Sequence, residues 1–102
     1  MNMQQMMKQV KKMQEAMEKA QAELKEKVVE GRSGGGAIVV RMNGHRELLE
    51  VKIDPSIVDP DDVEMLEDLV RLAVDEALRK ADELAQKDLG QIAGGLRLPG
   101  LF

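Results

Sequence analysis

Few side chains in this sequence have the types and spacing that chemistry requires. Gly31-Arg32-Ser33-Gly34-Gly35-Gly36 has the composition of a loop that cradles phosphate. Such loops need a helix N-terminus behind them, and the nucleotide-binding kind closes on Gly-Lys followed by Ser or Thr. Here an aliphatic run of strand character follows and the segment holds no Lys, so the glycines read as a permissive connection between strands. Asp59, Asp61, Asp62, Glu64, Glu67 and Asp68 supply carboxylates enough for a hard cation. They lack the alternating ligands and central Gly of a calcium loop, and acids are expected at the start of a helix without any ligand. His45 is the only histidine, and it follows a turn; a general base needs a positioned nucleophile or acid, and no Cys or second His is available. No catalytic residue, metal site or cofactor site is expected.

The remaining candidates are cationic. Lys8, Lys11 and Lys12 stand in the first fourteen residues, which contain no acid. Spacings of three and four place them on one side of a helix. Lys19 has Glu15 and Glu23 four residues away on either side. These lysines form either a solvated face or a row of phosphate contacts, and the spacing alone leaves both open. The net charge of −4 opposes nucleic-acid binding only at first sight. Residues 54–78 hold nine Asp or Glu against Arg71 alone, while residues 1–32 hold seven Lys or Arg against five Glu. Local potential, not net charge, governs contact with phosphate.

These side chains must be positioned by regular elements. Apolar residues at Met3, Met6, Val10, Met13, Met17, Ala20 and Leu24 recur every three or four residues among Gln, Lys and Glu, the pattern of a helix with one narrow heptad seam. The seam is a packing surface, or an adaptable groove for a peptide, since Met tolerates varied partners. Val28-Val29-Glu30 begins a short extended stretch broken by Gly31. Ala37 to Met42 reads as a strand with Ile38, Val40 and Met42 on one face, Asn43-Gly44 as a two-residue hairpin turn, and His45 to Asp54 as the return strand with Leu49, Val51 and Ile53 on one face. Asp59-Pro60 predicts the cap and first turn of a second helix, whose stripe from Val63 through Leu66, Leu69, Val70, Ala73 and Ala77 to Ala85 is broader than the first seam. That helix is expected to end near Leu89-Gly90. The expected fold class is α+β: an α-β-β-β-α subunit with a three-stranded antiparallel meander between two long helices.

The chain has 102 residues, which suits one domain, expected over residues 1–90, with residues 91–102 as a flexible tail rich in Gly and Pro. Phe102 is its single aromatic residue. A core without aromatics is thin, and a first helix of about 39 Å, at 1.5 Å per residue, outruns any sheet of short strands. Part of that helix must project, and a seam on a projecting helix needs cover. A homodimer supplies it, with Val40, Met42, Leu49, Val51, Leu69 and Val70 as the expected contacts. No run approaches the roughly 20 apolar residues that span a bilayer, and the N-terminus lacks the cationic and apolar regions of a signal peptide. The expectation is a cytoplasmic protein with neither a membrane partner nor a small-molecule substrate.

The ordered set of segments resembles the YbaB/EbfC family of bacterial nucleoid-associated proteins. The resemblance is carried by Met6-Met7-Lys8-Gln9 through Met17, the Gly-rich connection before Ala37-Ile38-Val39-Val40, Asn43-Gly44, Val51-Lys52-Ile53-Asp54-Pro55-Ser56, Met65-Leu66-Glu67-Asp68-Leu69-Val70, Ala73 to Ala77, and Leu98-Pro99-Gly100-Leu101-Phe102. It implies a homodimer in the cytoplasm, associated with the nucleoid, whose paired long helices protrude like tweezers. It also implies binding of double-stranded DNA with modest sequence preference, and a part in nucleoid organisation and gene regulation. The family's DNA contacts lie on helical arms, which here map to Lys8, Lys11, Lys12 and Lys19, with Arg79, Lys80 and Lys87 on the second helix. A protein-interaction module, gripping a replication or repair factor with its Met-lined arms, is the alternative.

Overall fold

The computed structural model describes the backbone of residues 2–95 and side chains through residue 91. Helix α1 spans Met3–Glu26, and Asn2 caps it by accepting the Gln5 N–H on Oδ1 at 2.9 Å. Strands β1 (Val28–Ser33), β2 (Ile38–Asn43) and β3 (Leu48–Ile53) follow, and helix α2 spans Val63–Gly95. The strands form one antiparallel meander in the order β1-β2-β3. The expected α-β-β-β-α order is the one observed.

One face of the sheet is apolar and the other charged, as strand alternation requires. Ile38, Val40 and Met42 of β2 pack beneath Ala73, Ala77 and Ala81 of α2 and form the buried core. Full burial of side chains of this size contributes about 1.5–3 kcal/mol each. On the opposite face Arg41 pairs with Glu30 of β1 at 3.6 Å and Glu50 of β3 at 3.7 Å. Helix α2 lies over β1 and β2, so β3 is the strand whose inner side lacks cover, and Val51 and Ile53 stay 40% and 37% exposed.

Several boundaries differ from those the sequence suggested, each for a local reason. Gly31 does not break β1 but lies within it, opposite Val40. A Cβ there would overlap the carbonyl oxygen of Ala73 and approach the Ala77 nitrogen to 2.6 Å, so the glycine lets α2 rest directly on the strand. The turn after β2 is not the two-residue kind: Arg46 donates its N–H to Asn43 O at 3.1 Å, and Arg46 itself takes the positive φ of 63°. This is a three-residue loop ending in a left-handed residue, accompanied by a register shift at Arg41/Met42. Helix α2 starts at Val63, because Asp59 closes a turn by accepting the Asp61 N–H, and Asp62 is the residue that accepts from Met65 N at 3.2 Å. Helix α2 also runs through Gly90 to Gly95, where the sequence suggested an end near Leu89-Gly90. The rest of the expected tail, residues 96–102, lies outside the described residues.

Candidate nucleic-acid interface

The hairpin tip fixes the direction in which α1 leaves the sheet. The Gly44 N–H donates to Leu24 O at 2.8 Å and to Lys27 O at 3.1 Å, satisfying carbonyls that the end of a helix leaves free. A Cβ on Gly44 would come within 2.6 Å of Leu24 O, so close approach, and not a positive φ, is what requires glycine here. Asn43 holds the tip in shape. It is 3% exposed, its Oδ1 accepts from His45 N at 2.9 Å and Glu47 N at 3.0 Å, and its Nδ2 donates to Glu47 Oε1 at 2.9 Å. Lys27 then ties α1 to α2 through Asp88 at 2.6 Å, and that hydrogen bond raises the Lys27 pKa above its ordinary value.

From this anchor α1 runs outward. Ala20 and Leu24 are 7% and 2% exposed, whereas Met17, Met13, Val10 and Met3 rise through 37%, 41% and 56% to 76%. The heptad seam is therefore covered at its C-terminal end by the rest of the subunit and open toward its N-terminus. The molecule measures 70 × 23 × 16 Å. Met3, Met6, Met7 and Val10 line an open cleft at the arm tip whose border includes Lys8 and Lys11.

Lys8, Lys11, Lys12 and Lys19 are exposed, and none has an ion pair within 4 Å among the described residues. The candidates on α2 are less alike. Lys87 is exposed. Arg79 has Glu83 at 3.9 Å, a distant and exposed pair that water screens. Lys80 is engaged inside the subunit: its Nζ donates to Glu30 O at 2.8 Å and lies 3.0 Å from Glu76. The hydrogen bond from Lys80 is the main reason the Glu76 carboxyl sits below its ordinary pKa. Glu76 also accepts the Arg32 N–H at 3.4 Å, so side chains of α2 satisfy the free edge of β1.

The residues expected between subunits separate into two groups. Val40 and Met42 are sealed in the subunit's own core, where α2 covers them, and Leu69 and Val70 pack against the same cluster. These residues hold the sheet to the helix. Leu49 and Val51 are 54% and 40% exposed on β3 and do form an open apolar surface, which Ile53 extends. The strand alternation that marked Leu49 and Val51 marks Ile53 equally. No comparable signal marked Arg46, whose side chain reaches Asp82 at 2.5 Å across the subunit.

Among the described residues no group of His, Cys, Asp and Glu is placed to hold a metal ion, and no helix is long and apolar enough to cross a membrane. The chemistry on offer is cationic and apolar, carried on one arm.

Residues 1–96 match the profile of the YbaB/EbfC DNA-binding family. The chain is 54% identical to a nucleoid-associated protein of Alkaliphilus metalliredigens over 99% of this chain and 89% of that one. It is 51% identical to a nucleoid-associated protein of Chloroflexus aurantiacus, with all of both chains covered. The fold is shared with an uncharacterized protein from Helicobacter pylori whose crystal structure superposes with a TM-score of 0.75 at 24% identity, covering 89% of this chain and 95% of that one.

Proposed function

Because the chain belongs to the YbaB/EbfC DNA-binding family, we propose that it binds duplex DNA in the nucleoid as a homodimer, through its basic α1 arms, and so contributes to nucleoid organisation and gene regulation. The observation that carries this reading is the arm itself. Lys8, Lys11 and Lys12 share one side of a helix that projects beyond the sheet, and among the described residues no carboxylate lies within 4 Å of them. Phosphate contacts supply most of the affinity of binding with little sequence preference, and they need only such exposed cations. The homodimer is supported by the uncovered inner side of β3, where a second copy would remove Leu49, Val51 and Ile53 from water.

Titration of a labelled duplex by electrophoretic shift at several salt concentrations tests the reading. Three phosphate contacts on each of two arms give about six in all, and a slope of log affinity against log salt near −5. Replacing Lys8, Lys11 and Lys12 together by Ala should weaken binding alike for all sequences and flatten that slope, with the fold intact. Equal loss from charge reversal at Arg79 and Lys87 alone would move the contacts to α2. The Met-lined cleft at the arm tip favours one other reading, a grip on a protein partner. Unchanged duplex binding in the triple Ala variant would leave the arm to that role.

A further inference from the structure

The two ends of the molecule carry complementary surfaces. A cleft lined by Ala20, Glu23, Lys27, Asp88 and Gln91 shows that the last turns of α2 run beside α1 in the opposite sense. Met3 therefore lies about 36 Å beyond Lys27 in one direction, and Val63 about 37 Å beyond Asp88 in the other. The longest extent of the molecule, 70 Å, agrees with that separation.

At the arm tip, Met3 and Met7 are 76% and 65% exposed, and the cleft they line is bordered by Lys8 and Lys11. At the far end, Met65 and Leu72 of α2 are 40% and 48% exposed. Asp68 falls between them, three residues after one and four before the other, so all three share a face. Glu64 lies four residues before Asp68. Both acids are exposed, and neither has a cation within 4 Å among the described residues. Asp59 and Asp62 are occupied in the turn and the cap, but Glu64 and Asp68 have no such task. One end thus offers apolar side chains beside lysines, and the other offers apolar side chains beside acids.

We propose that the start of α2 of a second copy docks on the Met-lined arm tip, so that molecules associate head to tail. Arm against arm would oppose like charges, whereas arm against the α2 start pairs opposite ones. The contact joins two different patches at opposite ends, so copies placed end to end repeat it from one molecule to the next, and two copies lying antiparallel make it twice. The patches are small, and the association is weak and visible only at high protein concentration. It needs no DNA and lies away from β3. It therefore stands or falls separately from the duplex-binding and dimer readings.

Sedimentation equilibrium of the full chain without DNA, over about 10–500 µM and at roughly 0.02 M and 0.5 M salt, tests it, since the lower salt leaves charges unscreened over tens of ångströms. The expected result is a mass that climbs past the basal unit with concentration at low salt and falls back at high salt. Two variants, Lys8→Glu with Lys11→Glu and Lys12→Glu, and Glu64→Lys with Asp68→Lys, should each remain at the basal mass, with wild-type circular dichroism confirming the fold. Their one-to-one mixture should regain the association, because each reversed end then meets its opposite. A wild-type mass that stays basal at low salt overturns the proposal. So does either variant alone assembling like the wild type, or a mixture that stays basal. If the wild-type arm instead retains only an acidic helical peptide from another protein and never its own α2, the arm serves a foreign partner and head-to-tail association is refuted.

Discussion

Gly31→Ala adds one methyl group, and the structure says that there is no room for it. The new Cβ would overlap Ala73 O, stand 2.6 Å from Ala77 N and 3.0 Å from Ala77 Cβ. Two of these three atoms belong to the α2 backbone, and the buried row Ala73, Ala77 and Ala81 offers no flexible side chain to move aside. Helix α2 must lift from β1, loosening the contact that also covers Ile38 and Val40. Overpacking ordinarily costs about 1–3 kcal/mol, and a clash with backbone falls at the upper end or beyond. A loss of about 3 kcal/mol is a large part of the roughly 5–15 kcal/mol that stabilises a small domain. It should lower the urea midpoint by about 1–3 M and the Tm by roughly 12–24 °C. Gly90→Ala is the matched control. Gly90 lies in α2 with nothing within 4 Å of its would-be Cβ, so the same methyl there should stabilise by about 0.5–1 kcal/mol. Urea unfolding followed by circular dichroism at one fixed protein concentration measures both, which matters because association makes stability concentration-dependent. A Gly31→Ala variant within about 0.5 kcal/mol of the wild type, inside the range of ordinary surface substitutions, would refute the close seating of α2 on β1.

Other outcomes follow from single contacts. Asn43→Ala should cost about 1–3 kcal/mol, because the His45 and Glu47 N–H groups lose their shared acceptor; a thermal melt reads it. Val40→Asp should prevent folding, because it buries an unpaired carboxylate, whereas Val51→Asp, at a site 40% exposed, should leave the subunit folded and lower the sedimentation mass of a dimer joined through β3. Arg32 hydrogen bonding to Glu30, Ser56 N–H bonding to Asp54, and Lys80 bonding to Glu76 each hold a carboxyl below its ordinary pKa. A depressed folded pKa gives stability that is complete above the unfolded value and lost as pH falls through the folded one, so the urea midpoint should be level at neutral pH and decline below about pH 4. Glu30→Gln should flatten part of that decline. Mild peroxide should convert Met3, Met6 and Met7 to sulfoxides well before Met42, which is 2% exposed, as peptide mass mapping would show; early oxidation of Met42 would contradict its burial.

The order of elements was legible in the sequence because each rests on local periodicity. Heptad spacing from Met3 to Leu24 makes a helix wherever it lies, and the alternation through Val51-Lys52-Ile53 makes a strand whose two faces differ. The cationic row Lys8, Lys11 and Lys12 was legible for the same reason, since spacings of three and four fix a shared side before any tertiary contact forms. What the sequence could not decide was which apolar residues a single subunit covers. Val40 and Val51 sit opposite each other on paired strands with similar side chains, yet one is 0% and the other 40% exposed. The difference arises only because α2 crosses β1 and β2 and stops short of β3. Gly31 reads as a strand breaker until a helix backbone is placed against it. Lys80 reads as a free surface cation until the Glu30 carbonyl is found 2.8 Å from it. Gly44 reads as half of a tight turn until the end of α1 packs on it and leaves the positive φ to Arg46. Periodicity is set by neighbours along the chain, whereas cover, close approach and the engagement of a charge are set by segments tens of residues away.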